Sequence, residues 1–364
     1  MELPRDSIPV VFLAVSAASL YARAASSRFR PGLPRLAALL PVVAFLAAAP
    51  LAFTSSAVMR GVAGFFFAWL GAFKVVLLAV GRGPLDPSLP VLPFLFTAAL
   101  PIKLRHGGAG RPDAAGPAST SRARALSIVS CSVKVAVIAA LLRVYHFKDQ
   151  LNFYARLALY GIHMYCFADL LLPCIAAAGG VLGMELEPQF DRPYLASSLR
   201  DFWSRRWNLM VPAILRPSVY DLVRARTGRA AGVMAAFLVS GLMHEVIVYY
   251  ITLRSPTGEM TAFFLLHGAS CVAEEWCVRR SVSTGWPAAP RPVATVLVGV
   301  FVAGTAFWLF FPPICRDGGE EALLDEWAAV AAFFVGAGQK MFSGLHDVDG
   351  LILTFTREVP IVVW

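Results

Sequence analysis

AAGVMAAFLVSGLMHEVIVYYIT, residues 230–252, is long and apolar enough to cross a bilayer as one helix, yet its body holds a histidine and a carboxylate, His244 and Glu245. Ionisable groups are costly in hydrocarbon, which makes them functional candidates by default. At a rise of 1.5 Å per residue, His244 lies roughly 21 Å along the helix, where a neutral imidazole needs a cavity or a partner. Ser240 sits one turn earlier on the same face, placed to hydrogen-bond the ring or line the same cavity, and Gly241 permits close helix approach. Glu245 projects about 100° away from His244 and is expected to pair elsewhere. On this helix alone, a packing histidine satisfied within the bundle remains an equal alternative.

The rest of the chain agrees with a membrane setting. Of its 364 residues 58% are hydrophobic and only 15% charged, and the mean hydropathy of +0.66 lies far from the balance of soluble proteins. The 32 Lys+Arg exceed the 23 Asp+Glu, but they fall between apolar runs, where lipid headgroups or an anionic substrate meet them, so no nucleic-acid partner is expected. Apolar runs at 36–53, 61–80, 125–142, 155–181, 230–252, 293–313 and 327–344 predict spans, with weaker ones at 8–22 and 260–273. The stretch 89–102 is short and holds Pro90, Pro93 and Pro101, and reads as a re-entrant or interfacial piece. Nine spans divide the connections into two sets carrying 22 and 6 basic residues. That asymmetry places 23–35, 81–124, 182–229 and 274–292 in the cytosol. The expected fold is an all-α polytopic transmembrane helical bundle of about nine spans with re-entrant or interfacial helices.

Several function classes fall away. The apolar 8–22 run follows Glu2 and Asp6 and precedes its arginines, the reverse of a secretory leader, and reads as an uncleaved helix. The six cysteines form no C-x-x-C pair and read as small hydrophobes. The loop 106–121 is a flexible connection without a phosphate-binding motif. No internal repeat supports a transporter. The histidines at 106, 146, 163, 244, 267 and 346 are too scattered for a metal centre, and His346 with Asp347 reads as a solvated tail.

A second cluster precedes the first: Ser198-Leu199-Arg200-Asp201-Phe202-Trp203-Ser204-Arg205-Arg206-Trp207-Asn208. Phe202, Trp203, Arg206, Trp207 and Met210 recur at helical spacing and predict one amphipathic helix at the interface. An anchoring role explains the tryptophans. It does not explain Asn208, whose carboxamide is a good oriented donor to a developing oxyanion. The connection 182–229 carries eight arginines, which read either as positive-inside charge or as a docking surface for a phosphorylated ligand.

These residues carry a resemblance. Ser198 to Val211, Leu215-Arg216-Pro217-Ser218-Val219-Tyr220 and Val239-Ser240-Gly241-Leu242-Met243-His244-Glu245 are similar to the plant-type wax ester synthases, a branch of the membrane-bound O-acyltransferases. A looser likeness covers most of the chain, including His267-Gly268, and stops after Asp347. The resemblance implies a single membrane domain over 1–364. In it, 182–229 is a cytosolic or re-entrant segment with the Trp-Asn motif, and 230–252 is the helix with the catalytic histidine. It also implies an enzyme of the endoplasmic reticulum that moves an acyl group from acyl-CoA to a long-chain alcohol, with no metal and no bound cofactor.

On that reading His244 is the general base on the alcohol, and Asn208 either donates to the thioester oxygen as it gains charge or positions the thioester for attack. Arg200, Trp203, Arg205, Arg206 and Trp207 receive acyl-CoA, while Ser240 and His267 line the acceptor tunnel, with His163 and Asp169 as further candidates; core hydrogen bonding is the preferred reading for His267, His163 and Asp169. Membrane lipid surrounds the whole. Positive-inside counting sets Asn208 in a cytosolic connection and His244 deep in a span, so the 202–215 segment must dip inward or line a chamber that reaches His244. A sterol O-acyltransferase using the same pair is the alternative within the enzyme class. A lipid carrier or silent scaffold is the rival outside it, though a carrier needs neither residue.

Overall fold

The computed structural model describes residues 7–102, 117–181, 184, 187, 189–284, 289–330 and 332. Among these the secondary structure is helical throughout, with no strand. In chain order the helices are α1 (Ser7–Arg28), α2 (Leu33–Ala48), α3 (Ala57–Ala63), α4 (Ala72–Ala79), α5 (Val91–Ala99), α6 (Pro117–Tyr145) and α7 (Phe153–Val181). There follow α8 (Leu199–Asp201), α9 (Met210–Leu215), α10 (Asp221–Thr227), α11 (Arg229–Thr252), α12 (Glu259–Thr284), α13 (Arg291–Thr305) and α14 (Pro312–Cys315). π-helical segments at Gly64–Gly71, Phe202–Arg206, Arg216–Tyr220 and Ala306–Phe310 join several of them into longer rods.

Six rods are long and apolar enough to cross a membrane: Ile8–Arg28, Leu33–Ala52, Ala57–Ala79, Phe153–Ile175, Arg229–Thr252 and Arg291–Cys315. The chain is an integral membrane protein of multi-pass type. The remaining predicted spans fall on α6, on α12, and on 327–344, which lies outside the described residues beyond its first few. α5, at nine residues, is too short to cross, in keeping with its prolines.

Three apolar clusters organise the bundle. Val15 of α1, Leu39 and Val42 of α2, Val75 and Leu78 of α4 and Phe94 of α5 form the first. Trp69, Leu70 and Leu77 pack with Met210, Ile214 and Leu215, and with Val239 and Met243 of α11, in the second. Leu199 and Phe202 meet Cys271 of α12 and Val298 of α13 in the third. The 196–215 segment is therefore inserted among α4, α11, α12 and α13, with both of its ends in an apolar core.

Polar groups inside the bundle are spent on helix ends. Arg60 donates to the carbonyls of Tyr250 and Ile251 at the end of α11, and to those of Phe53 and Thr54. Buried Lys74 donates to the carbonyls of Thr97 and Leu100 at the end of α5. Buried Glu326 accepts from Ser56 Oγ and from the amides of Ala57 and Val58, and so caps the start of α3. These are the orphan groups that every helix terminus leaves, which hydrocarbon cannot satisfy.

α11 and α12 approach each other closely at two glycines. A Cβ on Gly241 would lie 2.8 Å from the Cα of Thr261, and one on Gly268 would lie 2.9 Å from Phe237. Each helix thus offers a glycine to the other. Gly241→Val should destabilise the protein by about 1–3 kcal/mol, because backbone on the facing helix cannot move aside. Glu326→Ala should cost about 1–3 kcal/mol for each donor left unpaired. Thermal melts in detergent will check both.

Candidate active site

The Trp-Asn cluster is not the continuous amphipathic helix that its spacing predicts. Ser198 caps α8 by accepting from the Asp201 amide at 2.9 Å, and Glu274 of α12 accepts from the amides of Leu199 and Arg200. The chain then passes into the Phe202–Arg206 π-helical turn and breaks at Trp207 and Asn208 before α9 begins. Asn208 has φ of 43°, in the left-handed region that asparagine tolerates better than most residues. Helical periodicity cannot reveal such a break, since Phe202 and Met210 are buried on either side of it as a continuous helix would bury them.

This break turns Asn208 towards a cavity of about 1080 Å³, which His244 also lines. The side chain of Asn208 makes no hydrogen bond among the described residues. His244 Nδ1 lies 2.7 Å from the carbonyl oxygen of Ser240. A carbonyl only accepts, so Nδ1 carries the proton and Nε2 keeps its lone pair. Nε2 has no partner among the described residues and is the ring nitrogen left able to accept a proton. The ring is held by Trp69, edge-on at 4.9 Å, Phe264 at 4.2 Å and Phe310 at 5.9 Å. Ser240 thus orients the histidine through its backbone, and the residue is itself part of the cavity lining.

Glu245, as its position on the helix predicts, faces away: it accepts from the Thr261 amide at 3.0 Å, near the start of α12. Its sequence neighbour His244 is left to the cavity.

Of the other predicted site residues, Arg200, Trp203, Arg205, Trp207 and Ser240 line the same cavity. Arg200 and Arg205 are exposed, and the Arg205 guanidinium has no partner among the described residues. Arg206 stands apart. It donates to Asp201 at 2.6 Å and to the carbonyls of Asp191 and Arg192, fastening the 191–206 loop. His267 is fully buried behind Trp203, whose indole donates to it, and does not line the cavity. His163 and Asp169 are also outside the lining; Asp169 pairs with Lys134 at 2.8 Å and accepts from Tyr165.

Sequence reasoning missed Trp69, Tyr165, Phe264 and Phe310, all of which line the cavity. Each lies in an apolar run, where an aromatic lining a chamber looks the same as one in a core. All four π-helical segments contribute lining residues, among them Trp69, Trp203, Tyr220 and Phe310. A π turn inserts one residue into the helical register and often marks a functional site.

The arrangement can abstract a proton at His244, donate hydrogen bonds from Asn208, receive anionic groups at Arg200 and Arg205, and hold long apolar chains. Comparison with known proteins bears on the family of the chain. Residues 186–266, which contain both Asn208 and His244, match the family described as membrane bound O-acyl transferase. The chain is 39% identical to probable long-chain-alcohol O-fatty-acyltransferase 1 of Arabidopsis thaliana, across 83% of this chain and 89% of that protein. It is 38% identical to the long-chain-alcohol O-fatty-acyltransferase of Simmondsia chinensis, across 85% and 91%. It is 36% identical to acyl-CoA–sterol O-acyltransferase 1 of Arabidopsis thaliana, again across 85% and 91%. On this similarity over nearly the whole chain, the protein belongs to the membrane-bound O-acyltransferase family, in the branch of the plant long-chain-alcohol O-fatty-acyltransferases.

Proposed function

We propose that the protein transfers a fatty acyl group from acyl-CoA to the hydroxyl of a long-chain fatty alcohol in the endoplasmic reticulum membrane, releasing a wax ester and CoA. The observation that carries this reading is the shared cavity. Two polar residues from separate elements, Asn208 and His244, open on one largely apolar chamber whose arginines stand at its exposed rim.

In the proposed reaction His244 Nε2 takes the alcohol proton as the alcohol oxygen attacks the thioester carbon. The Ser240 carbonyl, already bonded to Nδ1–H, supports the imidazolium that forms. The Asn208 carboxamide donates to the carbonyl oxygen as it gains charge, acting as the oxyanion donor. Collapse expels the CoA thiolate, which recovers the proton from Nε2, so the residues end as they began. Arg200 and Arg205 receive the CoA phosphates. Trp203 and Trp207 form the wall along the thioester. The chamber is as large as the upper range of drug-sized pockets, roughly 1,000 Å³, which suits two long aliphatic chains.

A sterol acceptor is the second reading, favoured by the comparable similarity to a sterol-acylating relative. The two separate in one assay. Microsomes from a host lacking neutral-lipid synthesis are given labelled palmitoyl-CoA with hexadecanol, a sterol or a diacylglycerol. Wax ester is the expected product; sterol ester alone would keep the mechanism and replace the acceptor. His244→Ala should lower the rate about 10²–10⁴-fold, and Asn208→Ala about 10²–10³-fold. Undiminished turnover in His244→Ala protein would remove the proposed base.

A further inference from the structure

His267 takes part in no step above, yet its hydrogen bonds have only one possible direction. The Trp203 indole Nε1–H lies 3.0 Å from His267 Nδ1. An indole nitrogen only donates, so Nδ1 is the acceptor and the ring proton is on Nε2. His267 Nε2 lies 2.8 Å from Thr305 Oγ1, which therefore accepts, and the Thr305 hydroxyl donates its own hydrogen bond to the Phe301 carbonyl at 2.7 Å. The chain thus runs from the cavity wall through α12 to the backbone of α13, with each donor matched to an acceptor. His267 is fully buried and Thr305 nearly so.

Two members of this hydrogen-bonded chain, Trp203 and His267, reach His244 through aromatic contacts. The Trp203 ring lies 5.6 Å from Phe264, which in turn lies 4.2 Å from His244. His267 itself packs on Phe263 at 4.3 Å, Phe263 on Phe310 at 5.4 Å, and Phe310 on His244 at 5.9 Å. Phe263, Phe264 and His267 share one face of α12, three and four residues apart.

We propose that His267 is a positioning residue for acyl transfer: as acceptor for Trp203 and donor to Thr305, it fixes the aromatic wall that holds the His244 ring in place. This rests on the reading of His244 as the base. A neutral histidine offers one donor and one acceptor in fixed directions. Glutamine can reproduce that pair; leucine, close in size, cannot.

The test uses full-length protein carrying His267→Leu, His267→Gln, Thr305→Val or His244→Ala, with thermal melts and immunoblots to count folded enzyme. Turnover and KM are measured for palmitoyl-CoA and hexadecanol. His267→Leu should reduce kcat per folded enzyme about a hundredfold, the scale of an ångström-sized misplacement, with both KM values unchanged. His267→Gln should restore most of the rate, and Thr305→Val should show part of the loss in a protein that still folds. The proposal is overturned by full kcat in His267→Leu protein, by Gln serving no better than Leu, or by losses that only follow the amount of folded protein. An inactive His244→Ala beside any of these leaves the base assignment standing; an active one removes both.

Discussion

Hydrocarbon supplies no hydrogen bonds, and that single constraint arranges most of the polar atoms in this protein. Arg60, Lys74 and Glu326 are buried ionisable side chains that cap helix ends, where backbone groups would otherwise stay bare. His267 spends both ring nitrogens, and Glu245 spends one oxygen on the first turn of α12. Against this background the groups without protein partners on the cavity wall are informative. Asn208 and His244 line one cavity, and on the proposed mechanism substrate binding there completes a polar network that folding leaves open.

The chamber itself comes from irregular helices. The π turn at Gly64–Gly71 brings Trp69 against His244; that at Phe202–Arg206 presents Trp203 and delivers the chain to Asn208; that at Ala306–Phe310 sets Phe310 opposite. Regular helices packed by ridges into grooves close the space between them. Here the extra residue of each π turn disturbs that packing locally, while the Gly241 and Gly268 contact keeps α11 and α12 tightly paired beside it. A rigid pair and four irregular turns are complementary means to one cavity.

Much of this was legible in the chain. Long apolar runs disclosed the membrane class and the helical fold, and the run 230–252 appeared as a helix with nearly the predicted limits. His244 stood out because imidazole is rare in such runs, and Asn208 because a carboxamide is a poor anchor. Arg206 and His267 were harder to place. Sequence could put an arginine near a ligand but could not show that Asp201, five residues earlier, occupies it. Nor could it separate a histidine in the wall from one behind it, since that difference is a matter of which aromatic ring stands between. The π turns left no trace in periodicity.

Asn208 combines two demands that arise at different levels. Its backbone needs a residue at ease with φ of 43°, and on the proposed mechanism its side chain donates into the chamber that the residue lines. Glycine would meet the first demand and abolish the second. On the proposed mechanism, a single codon position therefore separates a folded transferase from a fold that keeps the chamber but not its oxyanion donor, with no part of the bundle rebuilt.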